Sequence, residues 1–234
     1  MEAVGNTDEP GRTPWVRRLP ERPVRRLSQL FAGLVLYGIS MAFLVESSLG
    51  LDPWDVFHQG LTRHLPLSFG LVTAITGVVV LLLWLPLRQR PGIGTVSNVI
   101  VIAVSVDVAL AVIPQPTGLP ARSALLACGI LLNGVASAAY IGARLGPGPR
   151  DGLMTGLAAR TGWSIRLVRT GIELTVLATG WLLGGTVGLG TVAYALAIGP
   201  LTQAFLPWFA VSPVSPRGSR ESTDGPRRGA RPAR

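Results

Sequence analysis

The sequence predicts an all-α protein of several membrane-crossing helices, and three observations carry the prediction. The chain of 234 residues is 48% apolar and only 14% charged, against about 25% charged residues in an average soluble domain. Six stretches are long and apolar enough to cross a hydrocarbon core of about 30 Å, which takes roughly 20 helical residues. All 21 basic residues are arginine, and they fall almost entirely on alternate sides of those stretches. The apolar content excludes a disordered chain. The single cysteine, Cys128, excludes a disulfide-stapled secreted domain.

In order, the expected spans are Leu27–Val45, Ser68–Leu87, Ile93–Ile113, Ser123–Ala143, Ser164–Leu183 and Gly190–Phe209. No ten-residue alternating pattern appears, so strands are not expected. The first run is too long for a signal peptide and lacks a small-residue cleavage site after it. The fifth span is the least apolar, with Arg166, Arg169 and Glu173 inside it. Residues 1–26 and 211–234 are rich in Pro, Gly, Ser and Arg, carry no helical or strand period, and read as disordered basic tails. With both tails on the cytoplasmic side, 19 arginines lie inside and only Arg63 and Arg122 outside. That asymmetry is the positive-inside signal, and it puts both termini on the cytoplasmic side of the membrane. Trp54, Trp84, Trp163, Trp181 and Trp208 fall near span ends, where indole rings favour the interface.

The chain is also duplicated. Residues Gly33 to Leu110 match Gly129 to Leu206 without a gap, with 22 identities in 78 positions. Three spans per copy (27–113 and 123–209) make the second copy enter from the opposite side. The expected architecture is therefore a six-helix 3+3 inverted repeat, a design that recurs in secondary transporters with a site near mid-depth.

Several motifs recur in both copies. Pro53-Trp54-Asp55 and Pro149-Arg150-Asp151 each put proline in a first helical turn and an acid by the positive end of the helix dipole. A short amphipathic helix, re-entrant or interfacial, is expected after each. Asp55 and Asp151 are either caps or symmetric gates, one per membrane face. Gly92-x-Gly94-Thr95 and Gly188-x-Gly190-Thr191 read as tight turns between neighbouring spans; a nucleotide site would need a lysine and a preceding strand. Gly38-x-x-x-Ala42 and Gly134-x-x-x-Ala138 allow close helix approach, and spans one and four are expected to pack through them.

Polar residues at depth complete the candidate set. Asp107 and its repeat counterpart Gln203 could line a polar site or proton path, or Asp107 could be hydrated near a span end. Glu173 has Arg169 one turn earlier as an ion-pair partner. Asn133, Ser137 and Tyr140 lie along one face of span four, with Tyr37 and Ser40 in span one; they read as a wet lining or as interhelical hydrogen bonds. Gly199-Pro200 is expected to kink or break the last span. His58 and His64 are six apart, on different helix faces, and do not form a metal pair. No cofactor pattern and no catalytic constellation is present, and the tails lack the interleaved aromatics of a nucleic-acid platform.

The run Leu49-Gly-Leu-Asp-Pro-Trp-Asp55, then Gly60-Leu61, Arg90-Pro-Gly-Ile-Gly-Thr-Val96 and Asp107, resembles the YczE-like bacterial membrane proteins, which are related in pattern to the YitT-type proteins. The likeness spans about Leu27 to Phe209 and implies a polytopic membrane protein without assigned catalytic residues. Its second copy departs from the pattern, with Arg150 for the tryptophan and Gln203 for the aspartate. The expected activity is transport of a small solute, coupled to a proton or ion through Asp107. The alternative is a non-transporting binding or accessory subunit, acting as a homo-oligomer or with a partner membrane protein. An enzyme is not expected.

Overall fold

A computed structural model describes residues 23–210. The two tails lie outside the described residues except for Pro23–Arg26, which begin the first helix. Eight helices are seen: α1 Pro23–Ser47, α2 Pro53–Thr62, α3 Phe69–Leu87, α4 Ile93–Val112, α5 Leu119–Gly142, α6 Pro149–Thr161, α7 Ile165–Leu182 and α8 Leu189–Phe209. No strand is present among the described residues. Five of the helices, α1, α3, α4, α5 and α8, are long and apolar enough to cross a membrane. The fifth expected span, α7, falls short of that measure because of Arg166, Arg169 and Glu173, so five helices rather than six qualify.

Each helix of the first half begins 96 residues before its counterpart in the second. The local chemistry recurs with it. Ser68 caps α3 and Ser164 caps α7, each accepting from the amide three residues on. Gly50 and Gly146 hold φ values of +123° and +130°, a region that glycine enters without a Cβ penalty. Both glycines sit in turns that touch the opposite half. Gly94 donates its N–H to Leu145 O at 3.0 Å, and Gly190 donates to Leu49 O at 2.8 Å. The two Gly-x-Gly-Thr runs therefore do more than turn the chain: each begins a helix and anchors the other copy's loop.

The molecule is organised around α1 and α5, which pack together more extensively than any other pair. A Cβ on Gly33 would meet Ala139 and Tyr140, and one on Gly129 would meet Phe43 and Leu44. Position advances along α1 as it recedes along α5, so the two helices are antiparallel. The contact is self-complementary, as a two-fold relation requires. Gly38 and Gly134 serve a different purpose from the expected one. Gly38 faces Ile102, Ser105 and Val106 of α4, and Gly134 faces Leu201 of α8, so they fasten α1 to α4 and α5 to α8.

The short helices are exchanged between halves: α2 packs on α7, and α6 packs on α3. Gly180 of α7 lies against the backbone of Val56 and Phe57, and Gly152 of α6 lies against the Trp84 ring. Trp84 is thus core rather than interfacial, 2% exposed, with its indole N–H donated to Pro149 O at 3.0 Å. Trp54 is buried too, whereas Trp163, Trp181 and Trp208 are exposed. The halves are not identical in packing. α4 rests on both α1 and α3, but α8 rests on α5 with at most marginal contact to α7. α8 runs as one continuous helix through Gly199, Pro200 and Pro207, so of the kink or break expected there, a break does not occur.

Candidate functional site

Ordinary helix chemistry starts the site. Asp52 is the N-cap of α2, and its Oδ1 accepts from the amides of Trp54 (2.9 Å) and Asp55 (3.1 Å). One turn on, His58 Nδ1 lies 3.3 Å from Asp55 Oδ1 and 3.2 Å from Thr73 Oγ1 of α3. Asp52, Asp55 and His58 are each at most 2% exposed. Burying two carboxylates a turn apart demands a compensating charge. Arg150, second residue of α6, supplies it. Its guanidinium nitrogens lie 3.8 Å from Asp52 Oδ1 and 3.8 Å from Asp55 Oδ1, and it stacks over the Trp54 ring at 4.9 Å.

The N-terminal ends of α2 and α6 therefore converge on one point, although they follow opposite ends of the α1–α5 pair. A cavity of about 90 Å³ opens there, room for several waters. Its walls are Tyr37, Trp54, His58, Tyr140 and residues 148–151, closed by the middle of α3 and the first turns of α4. Tyr140 donates its hydroxyl to Asp151 Oδ2 at 2.8 Å. Several buried polar atoms of the cluster have no hydrogen-bond partner: Asp52 Oδ2, Trp54 Nε1, Asp55 Oδ2 and His58 Nε2. Unpaired groups of this kind are costly in a low-dielectric interior and call for an explanation. Burial and the neighbouring Asp55 charge push the Asp52 carboxyl up to about 7, with Arg150 pulling the other way.

Asp55 and Asp151, read as caps or as gates on opposite faces, lie in the same region but in different settings: Asp55 is buried with His58 and Arg150, and Asp151 is exposed at the cavity wall, bonded to Tyr140. Asp107 and Gln203 are not brought to it. Asp107 accepts from Ser68 Oγ at 2.5 Å and Gly70 N at 2.6 Å, which makes it a second cap on α3, away from the cluster. Gln203 is exposed on α8. Asn133 is fully buried and bridges Ser40 of α1 and Tyr194 of α8, at 2.8 and 3.0 Å. It holds the helix core together beside the cavity. Glu173 pairs with Arg169 at 2.8 Å. Gly199 and Pro200 line no part of the cavity. Replacing Asp107 with Ala is expected to cost about 1 kcal/mol, the usual worth of a helix cap, read as a lower melting temperature without loss of the site.

Sequence reasoning does not reach Asp52, nor the use of Arg150 as the counter-charge of two buried carboxylates. The available signal was the repeat itself. An arginine where the other copy has tryptophan, beside a carboxylate-rich turn, marks a charge with somewhere to go.

The fold and the site together define a polytopic helical membrane protein with a buried, charged cavity. A family model described as a family of unknown function, DUF6198, matches residues 24–207, and the chain belongs to that family. An uncharacterised protein of Haemophilus influenzae is 39% identical over 206 residues, 88% of this chain and 94% of that protein. The uncharacterised membrane protein YczE of Bacillus subtilis is 34% identical, across 79% of this chain and 86% of its own length, so the chain is YczE-like. A third relative, the uncharacterised protein YyaS of Bacillus subtilis, is 23% identical over 179 residues. No solved structure matches.

Proposed function

We propose that the protein is a carrier of a small solute, rather than an enzyme, in the bacterial plasma membrane. In this reading α7 is the sixth crossing and its Arg169–Glu173 pair is neutralised in place. The two halves then form a 3+3 inverted repeat with both termini cytoplasmic, as the arginine asymmetry requires. The antiparallel α1–α5 contact supports the inversion. The observation that carries the proposal is the buried Arg150–Asp52–Asp55–His58 cluster, set where two half-length helices meet from opposite halves. Broken or half-length helices at a repeat interface are where such carriers bind their cargo. The unequal packing of α4 and α8 supports a molecule caught in one of two alternating arrangements, whose other form would exchange the roles of the halves.

The proposed carrier is proton-coupled, and the coupling resides at Asp52, inside the buried cluster, rather than at Asp107, which caps the start of α3. Asp52 faces Asp55, His58 and Arg150. Its carboxyl binds a proton below about pH 7 when folded and below about 3.8 otherwise. The folded state therefore holds the extra proton between those values, and Asp52's contribution to stability declines as pH rises through that window. Asp52→Asn keeps the α2 cap but removes the titration. The test uses vesicles containing the purified chain and a trapped pH dye, given the desalted low-mass fraction of a bacterial extract under an inward proton gradient. Extract-dependent proton entry is expected for the wild type, with a loss of at least tenfold in Asp52→Asn. Vesicles that stay inert overturn the carrier reading, and a co-purifying membrane partner would then favour an accessory subunit.

A further inference from the structure

The two halves share one contact, and it is made in the first half only. There the start of α3 is fastened to the end of α4: Asp107 accepts from Ser68 Oγ and Gly70 N at 2.5 and 2.6 Å. A Cβ on Gly70 would meet Ala103 O and the Asp107 carboxylate, and one on Gly77 would meet Val99. Val99, Ala103 and Asp107, spaced one turn apart, are therefore the face of α4 that carries α3. Moved 96 residues on, that face is Ala195, Gly199 and Gln203 of α8, and the residues it would carry are Ser164, Arg166 and Glu173 of α7. In the second half the contact is open. Ala195, Gln203, Ser164 and Arg166 are all exposed, and a Cβ on Gly199 would meet nothing within 4 Å. Ser164 Oγ serves its own helix, accepting from Leu167 N at 3.3 Å.

The differences between the halves nevertheless preserve a fit. Where Gly77 makes room for Val99, Glu173 stands opposite Ala195, so the larger side chain has changed helices. Where Gly70 lets α3 approach the Ala103 carbonyl, Arg166 holds α7 further off, and Gln203 is one carbon longer than Asp107 to reach across. Gly199 adds a separate observation. Glycine inside a helix is unfavourable relative to alanine, and nothing near Gly199 in this form requires one; a helix lying against it would. We infer that α7 closes on α8 in a second conformation, with Gln203 Oε1 accepting from Ser164 Oγ and Arg166 N, and that this latch and the Asp107 latch are made in alternation. In the carrier reading, on which this rests, the Asp107 latch lies at the outer end of the molecule and the Gln203 latch at the cytoplasmic end. The two latches are then the gates that alternating access needs.

Disulfide formation in the full-length protein in nanodiscs tests the alternation. The pair Ser164→Cys with Gln203→Cys, in a Cys128→Ser background, is oxidised with copper phenanthroline, and loss of free thiol in the monomer band is followed with time. An intramolecular disulfide is expected, because each visit to the closed form traps a fraction of the molecules. Asp107→Ala opens the competing latch and is expected to raise the rate at least threefold. Gly199→Leu has room in the present form, so it should keep the melting temperature at or above that of the parent pair. It should lower the rate at least tenfold, because it occupies the place of α7. Should it fold poorly, Ala195→Leu on the same exposed face replaces it, with the same expectation. No intramolecular disulfide, or a rate indifferent to these substitutions in folded protein, would overturn the gate. The reading does not depend on transport. Inert vesicles in the proton-entry assay overturn the carrier and leave a measured closure standing, whereas proton entry without closure overturns the gate alone.

Discussion

Arg150→Leu is expected to lower stability by about 3 kcal/mol, because it strands two buried carboxylates without a cation. The distances matter here. Both Asp52 and Asp55 reach the same guanidinium at 3.8 Å, and no other cation is recorded within 4 Å of either among the described residues, apart from His58 beside Asp55. His58 is a poor substitute, since protonating a buried imbidazole carries its own desolvation cost. The loss should be partly recovered at low pH, where the carboxylates take up protons, and in Arg150→Lys, which keeps a charge but loses the planar stack on Trp54. Thermal unfolding of the purified variants at pH 5 and pH 8 measures all of this. A variant as stable as wild type at pH 8 would mean that the carboxylates are neutral and that Arg150 is not their counter-charge.

The second large effect is steric. Gly180→Leu should separate α2 from α7, since even the first side-chain carbon would sit 2.4 Å from Phe57 N and 2.5 Å from its Cα. Backbone cannot move aside as a flexible side chain can, and overpacking of this kind costs about 3 kcal/mol or more. The control lies in the same helix. A Cβ on Gly171 meets nothing within 4 Å, so Gly171→Ala should be neutral or stabilising by up to about 1 kcal/mol. Melting temperatures of the two variants, compared side by side, decide whether α2 truly rests on α7. Equal tolerance at both positions would remove that contact.

What was legible in the sequence follows from what each signal encodes. Helix positions were readable because apolar length and proline at first turns are local. The duplication was readable because turn glycines such as Gly50 and Gly146 cannot be exchanged cheaply. The cluster was not readable in the same way. Arg150 lies nearly a hundred residues from Asp52 and Asp55, and only the exchange of short helices between halves brings them together. Asp107 is the converse case. An acid inside an apolar stretch looks like chemistry, but here a neighbouring helix end lies within reach and offers two donors. Pro200 does not break α8, which carries both of its prolines within one continuous helix. Trp84 near a span end looked interfacial, yet the small residue Gly152 across from it makes a pocket that only the tertiary arrangement creates.

The account depends on α1 and α5 running in opposite directions, which is what brings two short helices to one cavity. Arg122, near the start of α5, donates to the carbonyls of Ser47 and Ser48 at the end of α1, both at 2.7 Å. Cysteine pairs in a Cys128→Ser background, treated in native membranes with a short bismaleimide, test this directly. Ser48→Cys with Arg122→Cys should cross-link, and Ser48→Cys with Arg144→Cys, at the other end of α5, should not. The reverse pattern would place the two helices parallel and contradict the account.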